Sequence, residues 1–266
     1  LVFTLCILAA LTAVSFAADI VDSGYCGSEG DGKNLSWTLD SDGVLTISGN
    51  GRMQSWADIS SLPWQVQEIK TVIIKNGVEN IGDSAFECSF SLTSVTIPNT
   101  VTSIGDYAFM QCARLTSITI PNSVTRIGDS AFSNCSSLTS IAIPNSVISI
   151  GDHAFTGSSL TSIMIPSSVT HIGQRAFFGC SSLASIFVSE NNTKYDSRNN
   201  CNAIIETATN TLVSGCSNTS IPNCVTNIGE NAFTGSSLTS ITIPSSGTSI
   251  YHHVFYNCSS LESAYF

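Results

Sequence analysis

A unit of about 23 residues recurs along most of the 266-residue chain. Two successive copies read LTSITIPNSVTRIGDSAFSNCSS, over residues 115–137, and LTSIAIPNSVISIGDHAFTGSS, over residues 138–159. The unit starts are spaced by 23, 23, 23, 22, 23, 33, 22 and 23 residues and fall at Ile69, Leu92, Leu115, Leu138, Leu160, Leu183, Cys216, Leu238 and Leu261. A repeat of this length predicts a solenoid, in which stacked coils bury one another's apolar faces.

The same positions of each ordinary unit are apolar when counted from its first residue. Positions six, thirteen and eighteen are filled by Ile97, Ile120, Ile143 and Ile165, by Ile104, Ile127, Ile150 and Ile172, and by Phe109, Phe132, Phe155 and Phe177. One unit alone cannot bury these side chains, whereas a stack merges them into one continuous core. We therefore expect three apolar columns along the solenoid.

The local pattern predicts the path of each coil. Ile118 and Ile120 alternate with polar residues, as in a half-buried strand, and Pro121 ends that strand because proline has no N–H to donate. Residues 124–127 predict a second short strand, and Asp129 precedes a short helical turn as an N-cap would. The fold predicted is a mainly β solenoid of about eight coils, with a parallel sheet and short helical turns.

The consensus L-x-x-I-x-I-P-x-x-V-x-x-I-G-x-x-A-F-x-x-C resembles the BspA-like class of bacterial leucine-rich repeats. The resemblance covers residues 69–266. Residues 24–64, with an Asp42-Gly43 turn between LSWTL and VLTIS, resemble the β-rich region that often precedes such repeats. We expect residues 18–68 to form an N-terminal β-rich cap. The resemblance implies attachment to host proteins or to other cells.

Both ends of the chain carry expectations of their own. Residues 1–17 are apolar and end in small residues, which predicts a secretory signal peptide, a secreted or cell-surface protein, and no membrane span after cleavage. At the other end, Leu261, Ala264 and Phe266 fill positions one, four and six of a coil that then stops. We expect that coil to be truncated or frayed.

The unit that begins at Leu183 is ten residues longer than the ordinary unit. Its stretch NAIIETATNTLVSG predicts a β-hairpin within an insert near residues 189–215, with strands at 203–206 and 211–214 around a polar turn. We expect the hairpin to protrude from the helical-turn side.

The charge balance limits the class of partner. The net charge is −10, with nine Lys and Arg residues. Binding to nucleic acid or to anionic membranes depends on clustered basic residues, so neither is expected as a partner.

The ten cysteines follow the repeat rather than a disulfide framework. Position 21 is shared by Cys112, Cys135, Cys180 and Cys258. The two 22-residue units read as having lost a residue there, which favours a column of buried apolar thiols over paired ones. A bridge between Cys201 and Cys216 across the hairpin base remains an alternative.

Candidate catalytic and metal residues have simpler explanations. Position fifteen carries Asp83, Asp106, Asp129 and Asp152. We interpret this column as repeated helix caps, with a weak calcium-binding ladder as the alternative. The chain has no G-x-S-x-G, Walker, C-x-x-C or H-E-x-x-H motif. No catalytic residue, metal site or cofactor is therefore predicted.

One outward column changes character in three successive coils. From the second unit onward, position five reads Thr96 and Thr119, then Ala142, Met164 and Phe187, then Ser220 and Thr242. On the turn side, basic residues interrupt columns of small polar side chains at Arg126, His153, His171 and Arg175. Exposed apolar residues beside charge are typical of recognition sites, so these seven residues form the predicted ligand surface.

We interpret the chain as an exported, non-enzymatic recognition or adhesion protein. Its expected partners are protein or glycan ligands on host or microbial surfaces. Two alternatives remain: an accessory binding region of a larger secreted hydrolase whose catalytic domain lies outside this sequence, and a structural surface spacer.

Overall fold

The chain winds into a stack of about nine turns, whose short strands line up as parallel sheets. The computed structural model describes residues 18–65, 68–245 and 249–266, so the predicted signal peptide lies outside the described residues. Within these ranges the strands are β1 (Ile20–Tyr25), β2 (Leu35–Asp40), β3 (Val44–Gly49), β4 (Thr71–Ile74), β5 (Asn80–Ile81), β6 (Ser94–Thr96), β7 (Ser103–Ile104), β8 (Arg126–Ile127), β9 (Ser149–Ile150), β10 (Ser162–Ile165), β11 (His171–Ile172), β12 (Ser185–Val188), β13 (Tyr195–Asp196), β14 (Ala203–Glu206), β15 (Thr211–Gly215), β16 (Asn227–Ile228), β17 (Ser240–Thr242), β18 (Ser249–Ile250) and β19 (Ser263–Tyr265). Two 3-10 helices span Ile59–Ser61 and Arg198–Asn200.

The N-terminal strands merge with the repeat sheet. Strands β1, β2 and β3 are antiparallel, and β3 then pairs in parallel with β4, placing Ile47 beside Ile74. Trp64 lies on the end of the phenylalanine column, with its ring centroid 5.9 Å from that of Phe86. Trp37 and Trp56 pack edge-on against Trp64. This end of the apolar core is therefore covered by aromatic rings.

The apolar columns run through successive coils as expected. Strands β5, β7, β8, β9 and β11 form one parallel sheet that carries the position-thirteen isoleucines. The phenylalanine rings stack with centroids 5.3 to 5.7 Å apart, at Phe86, Phe109, Phe132, Phe155 and Phe177. The predicted mainly β, leucine-rich-repeat solenoid is confirmed.

The predicted short helical turns are wrong in detail, because alternate N–H groups of the turns donate to the next coil and only the groups between them donate within the turn. In one turn the N–H groups of Ser130, Phe132 and Asn134 donate to carbonyl oxygens of the following coil at 2.7, 2.8 and 2.7 Å. Ser130 and Asn134 have φ values of 52° and 57°, so left-handed residues recur at positions sixteen and twenty. This alternation turns every second N–H toward the neighbouring coil.

The aspartates of position fifteen therefore do not cap helices. Asp83 Oδ1 accepts a hydrogen bond from the N–H of Asp106 at 2.8 Å, and Asp106 Oδ1 accepts one from the N–H of Asp129 at 2.8 Å. The ladder continues through Asp152 to the N–H of Gln174 at 2.7 Å. Each carboxylate thus ties its own coil to the next one.

The hairpin of the long coil does not protrude. β14 and β15 are antiparallel, and β15 also pairs in parallel with β16, with Leu212 beside Ile228. Ala203, Ile204, Ile205 and Leu212 are fully buried. Four apolar side chains would be exposed on a protruding hairpin, and burying them makes β15 the second strand of its coil.

The nine cysteines of the described residues are all free, so the Cys201–Cys216 bridge is not formed. The position-21 thiols donate hydrogen bonds to a phenylalanine carbonyl of the preceding coil; Cys135 Sγ lies 3.2 Å from Phe109 O. Serine takes this position in the two 22-residue coils, as Ser158 and Ser236, so the residue is replaced rather than lost there. Burial raises the pKa of the Cys135 thiol to about 12.

Candidate functional site

Met164 and Phe187 lie side by side on the outer face of a two-stranded parallel sheet. They are register partners in β10 and β12, and 62% and 46% of their surfaces are exposed. The alternate residues Ile163 and Ile186 point into the core, which fixes the two strands and the outward direction of this pair. Ala142, in the coil before, is also exposed.

Residues 189–200 of the insert lie beside this pair and make the surface concave; we call them the groove wall. A groove of about 570 Å³ is lined by Met164, Phe187, residues 188–190 and residues 196–200. The sequence indicated the two apolar residues but not the groove wall. The ten extra residues of this unit were the only signal of the wall, and they do not specify where the chain would run.

Asn192 fastens the groove wall to the solenoid. Its buried side-chain amide donates to the carbonyl oxygens of Pro166 at 2.8 Å and Val169 at 3.0 Å. Its Oδ1 accepts from the N–H groups of Lys194 and Tyr195 at 2.9 and 2.8 Å. One side chain thereby joins the insert to the preceding coil with two hydrogen bonds and orders the insert itself with two more.

Two of the three charged residues that line the groove form an ion pair with each other. Arg198 Nε donates to Asp196 Oδ1 at 2.8 Å, and Arg198 Nη1 donates to Asn210 Oδ1 at 2.8 Å. The hydrogen bonds with Asp196 raise the pKa of Arg198. Glu190 is the other charged residue that lines the groove. The groove therefore presents a fixed ion pair and one further carboxylate beside its apolar floor.

The four basic residues predicted beside the apolar strip lie on other parts of the coil. Arg126 and His171 are on β8 and β11 of the second sheet, and Arg126 Nη2 lies 2.6 Å from Asp106 Oδ1. His153 and Arg175 are turn residues; Arg175 Nη2 lies 3.4 Å from Glu230 Oε1. Both arginines thus face carboxylates, and none of the four lines the groove.

The described ranges contain no cluster of three or more His, Cys, Asp or Glu side chains placed to hold a metal ion. In the same ranges, every helix is too short to cross a membrane. The chemistry available at the groove is apolar contact, peptide-like hydrogen bonding and ion pairing.

Comparison with known proteins points to one family. The model of the BspA type leucine rich repeat region matches six copies, over residues 64–122, 102–212 and 211–266. Comparison with curated proteins gave no match.

Solved structures of bacterial leucine-rich repeat proteins share this fold. One from Eubacterium ventriosum is 28% identical with a TM-score of 0.77, over 92% of this chain and 72% of that chain. A leucine rich cell surface protein from Faecalibacterium prausnitzii is 29% identical with a TM-score of 0.63, over 92% and 77%. One from Bacteroides ovatus is 25% identical with a TM-score of 0.53, over 94% and 70%.

Proposed function

We propose, since the chain belongs to the BspA-type leucine-rich repeat family, that it is an exported recognition protein that binds a protein on a host or microbial surface. The binding surface is the groove floored by Met164 and Phe187. The single observation behind this proposal is that pair: two large apolar side chains, in register and exposed, on the outer face of β10 and β12, where their outward-facing neighbours are Ser162 and Ser185.

The groove has the composition of a protein-binding surface. Met and aromatic residues are enriched where proteins meet, and a charged rim around an apolar centre is typical of such contacts. Here the Asp196–Arg198 pair and Glu190 form that rim. A volume of about 570 Å³ lies within the range of sites that hold a small ligand or a short peptide segment. A protein segment with an apolar side chain and a basic neighbour for Glu190 fits this groove best.

A rigid wall favours binding, because a surface that is already ordered loses little conformational entropy when its ligand arrives. The four hydrogen bonds of Asn192 supply that order. Within the groove, the pairing of Arg198 with Asp196 also holds one charged side chain in place.

Surface location is supported by the relative from Faecalibacterium prausnitzii, which is described as a leucine rich cell surface protein.

The test replaces the apolar pair by the residue common in other coils. The variant Met164→Thr/Phe187→Thr and the wild-type chain are compared for binding to immobilised extracellular matrix proteins and to whole bacterial cells. Ile148→Thr is the matched control, because Ile148 is similarly exposed but lies away from the groove. We expect at least a roughly tenfold rise in Kd for the double variant and no change for the control. Equal binding by all three chains would exclude the groove as the binding surface, and binding by none of them would favour the spacer alternative.

A further inference from the structure

The coil that begins at Leu183 lacks the turn segment of its neighbours. After β12 the chain enters the hairpin, and β15 leads directly into Cys216, where the next coil begins. The turn of the preceding coil therefore faces the turn of the following coil across the omitted segment. The N–H of Gly179 donates to the carbonyl oxygen of Thr234 at 3.0 Å, a bond that skips a whole coil.

These two turns meet at one end and diverge at the other. A Cβ atom on Gly235 would lie 2.8 Å from the Cα of Gly179, so the turns are in backbone contact there. Toward their other end they enclose a cavity of about 230 Å³, lined by residues 172–178, Thr211, Val213, Ser214 and residues 229–231. We call this cavity the notch. The groove and the notch share no lining residue.

The notch partly uncovers the apolar core. Ile172, Ala176 and Phe177 are 8%, 3% and 6% exposed. The equivalent residues of the preceding coil are fully buried, namely Ile150, Ala154 and Phe155. Ile172, Ala176 and Phe177 are more exposed because the turn that would have covered them is omitted.

Position 21 of the next coil is a serine. The cysteines at this position donate to the phenylalanine carbonyl of the coil before, as Cys258 Sγ does to Phe233 O at 3.0 Å, whereas Ser158 has Cys180 Sγ as its partner at 3.4 Å. Ser236 holds this position, but the coil before it has no such phenylalanine. In the part of the chain that the structure describes, the buried Ser236 Oγ has no hydrogen-bond partner.

The mouth of the notch can hold a polar backbone. Arg175 and Glu230 face each other there, with Nη2 and Oε1 3.4 Å apart, and about half of each side chain is exposed. Gln174 and Asn231 add amide groups that can donate and accept hydrogen bonds. The notch therefore has an apolar interior and a rim suited to peptide groups.

We infer that the notch is a second binding site, which takes one aromatic side chain from a partner protein. The repeat itself indicates this occupant. In the complete coils a phenylalanine ring covers the ring before it, as Phe177 covers Phe155 at 5.5 Å, and the notch is where the next ring is missing. An apolar cavity of about 150 Å³ is large enough for benzene, so 230 Å³ admits one aromatic ring.

The test uses N-acetyl-L-phenylalaninamide as the probe and the full chain as the receptor. A ligand this small binds weakly, with a Kd on the order of 1 mM, so saturation-transfer NMR is the suitable readout. We expect saturation of the probe's ring protons and none for N-acetyl-L-alaninamide. Val213→Phe, which fills the notch, should reduce the saturation about tenfold. Val95→Phe is the matched control, because Val95 is also a half-buried valine at the edge of the core, and it should leave the saturation unchanged.

Three outcomes would overturn the inference: equal saturation by the Val213→Phe chain, equal saturation of the alanine probe, or stronger saturation of methyl β-D-glucopyranoside than of the aromatic amide. Should Val213→Phe fail to fold, the wild-type chain still decides the question. Ring-current shifts of the Ile172 and Val213 methyl resonances on addition of the probe would support the site. Their absence at saturating probe would exclude it.

Discussion

The rings of Phe132 and Phe155 lie nearly parallel, with centroids 5.7 Å apart and planes 3° apart. Both rings are fully buried, and each also stacks on the phenylalanine of its other neighbour. Contacts of this kind link each coil only to the adjacent ones, so the stability of the stack depends on nearest-neighbour pairs.

Phe132→Ala should weaken several coils together, because it removes a ring that is packed on both sides. Truncation of a buried phenylalanine typically costs about 3–5 kcal/mol of unfolding free energy. Urea unfolding followed by circular dichroism measures this cost. Phe90→Ala is the control, since Phe90 is exposed and should change the free energy by less than about 0.5 kcal/mol. An unchanged midpoint for Phe132→Ala would show that the ring is not in the core.

Ser130 should tolerate glycine and reject valine. Its φ of 52° is left-handed, a region in which β-branched residues are strained. We expect Ser130→Val to lower the free energy of unfolding by about 1–2 kcal/mol and Ser130→Gly to stay within about 1 kcal/mol of wild type. The same pair of changes at Ser117, an exposed residue outside the left-handed positions, should show the opposite order. Equal effects of valine at both sites would argue against the alternating turn.

Asp83→Ala should loosen the contact between two coils, whereas Asp83→Asn should preserve it. The Oδ1 atom of Asp83 accepts the N–H of Asp106, and an asparagine carbonyl oxygen can replace it. Loss of one such hydrogen bond costs about 0.5–1.5 kcal/mol. Thermal unfolding of the three chains measures the difference. If alanine and asparagine destabilise equally, the negative charge rather than the hydrogen bond is what the position needs.

Stability should fall above about pH 9, partly through the buried thiols. Burial raises the pKa of Cys135 to about 12, whereas a thiol in the unfolded chain titrates near 8.5. The unfolded state therefore loses protons first as the pH rises. The stabilisation is complete below about pH 8.5 and declines from there toward pH 12, by up to about 1.4 kcal/mol per pH unit for this thiol.

Cys135→Ala should therefore show a shallower decline in unfolding free energy between pH 8 and pH 10 than wild type. Cys224→Ala is the control, because Cys224 is exposed. A Cys135→Ala chain with the wild-type slope would mean that the thiol is not buried in the folded protein.

The features that the repeat period determines could be predicted from the sequence. The coil stack, the buried Ile and Phe columns and the outward direction of Met164 and Phe187 all follow from alternation within a 23-residue unit. The turns could not be predicted in the same way, because Asp-Ser-Ala-Phe has the pattern of a capped helix. The left-handed conformation of Ser130 accompanies hydrogen bonds to the next coil, which are contacts outside the local sequence.

The aperiodic features of the long coil were the hardest to predict. The path of the groove wall depends on the bonds of Asn192 to the preceding coil, which are tertiary contacts with no local pattern. The hairpin strands have a clear alternation, yet their burial in the stack depends on pairing with β16. The notch follows from that burial. β15 takes the place of the second strand of its coil and leads directly into the next coil, so no residues remain to form a turn.

Hydrogen exchange of the chain tests the proposed groove most directly. It is measured with and without an extracellular matrix protein that the chain binds in the assay above. Bound partner should slow exchange in β10, in β12 and in residues 189–200, while β7 and β8 exchange as in the free chain. Slowed exchange confined to other coils, with β10, β12 and residues 189–200 unchanged, would contradict recognition through Met164 and Phe187.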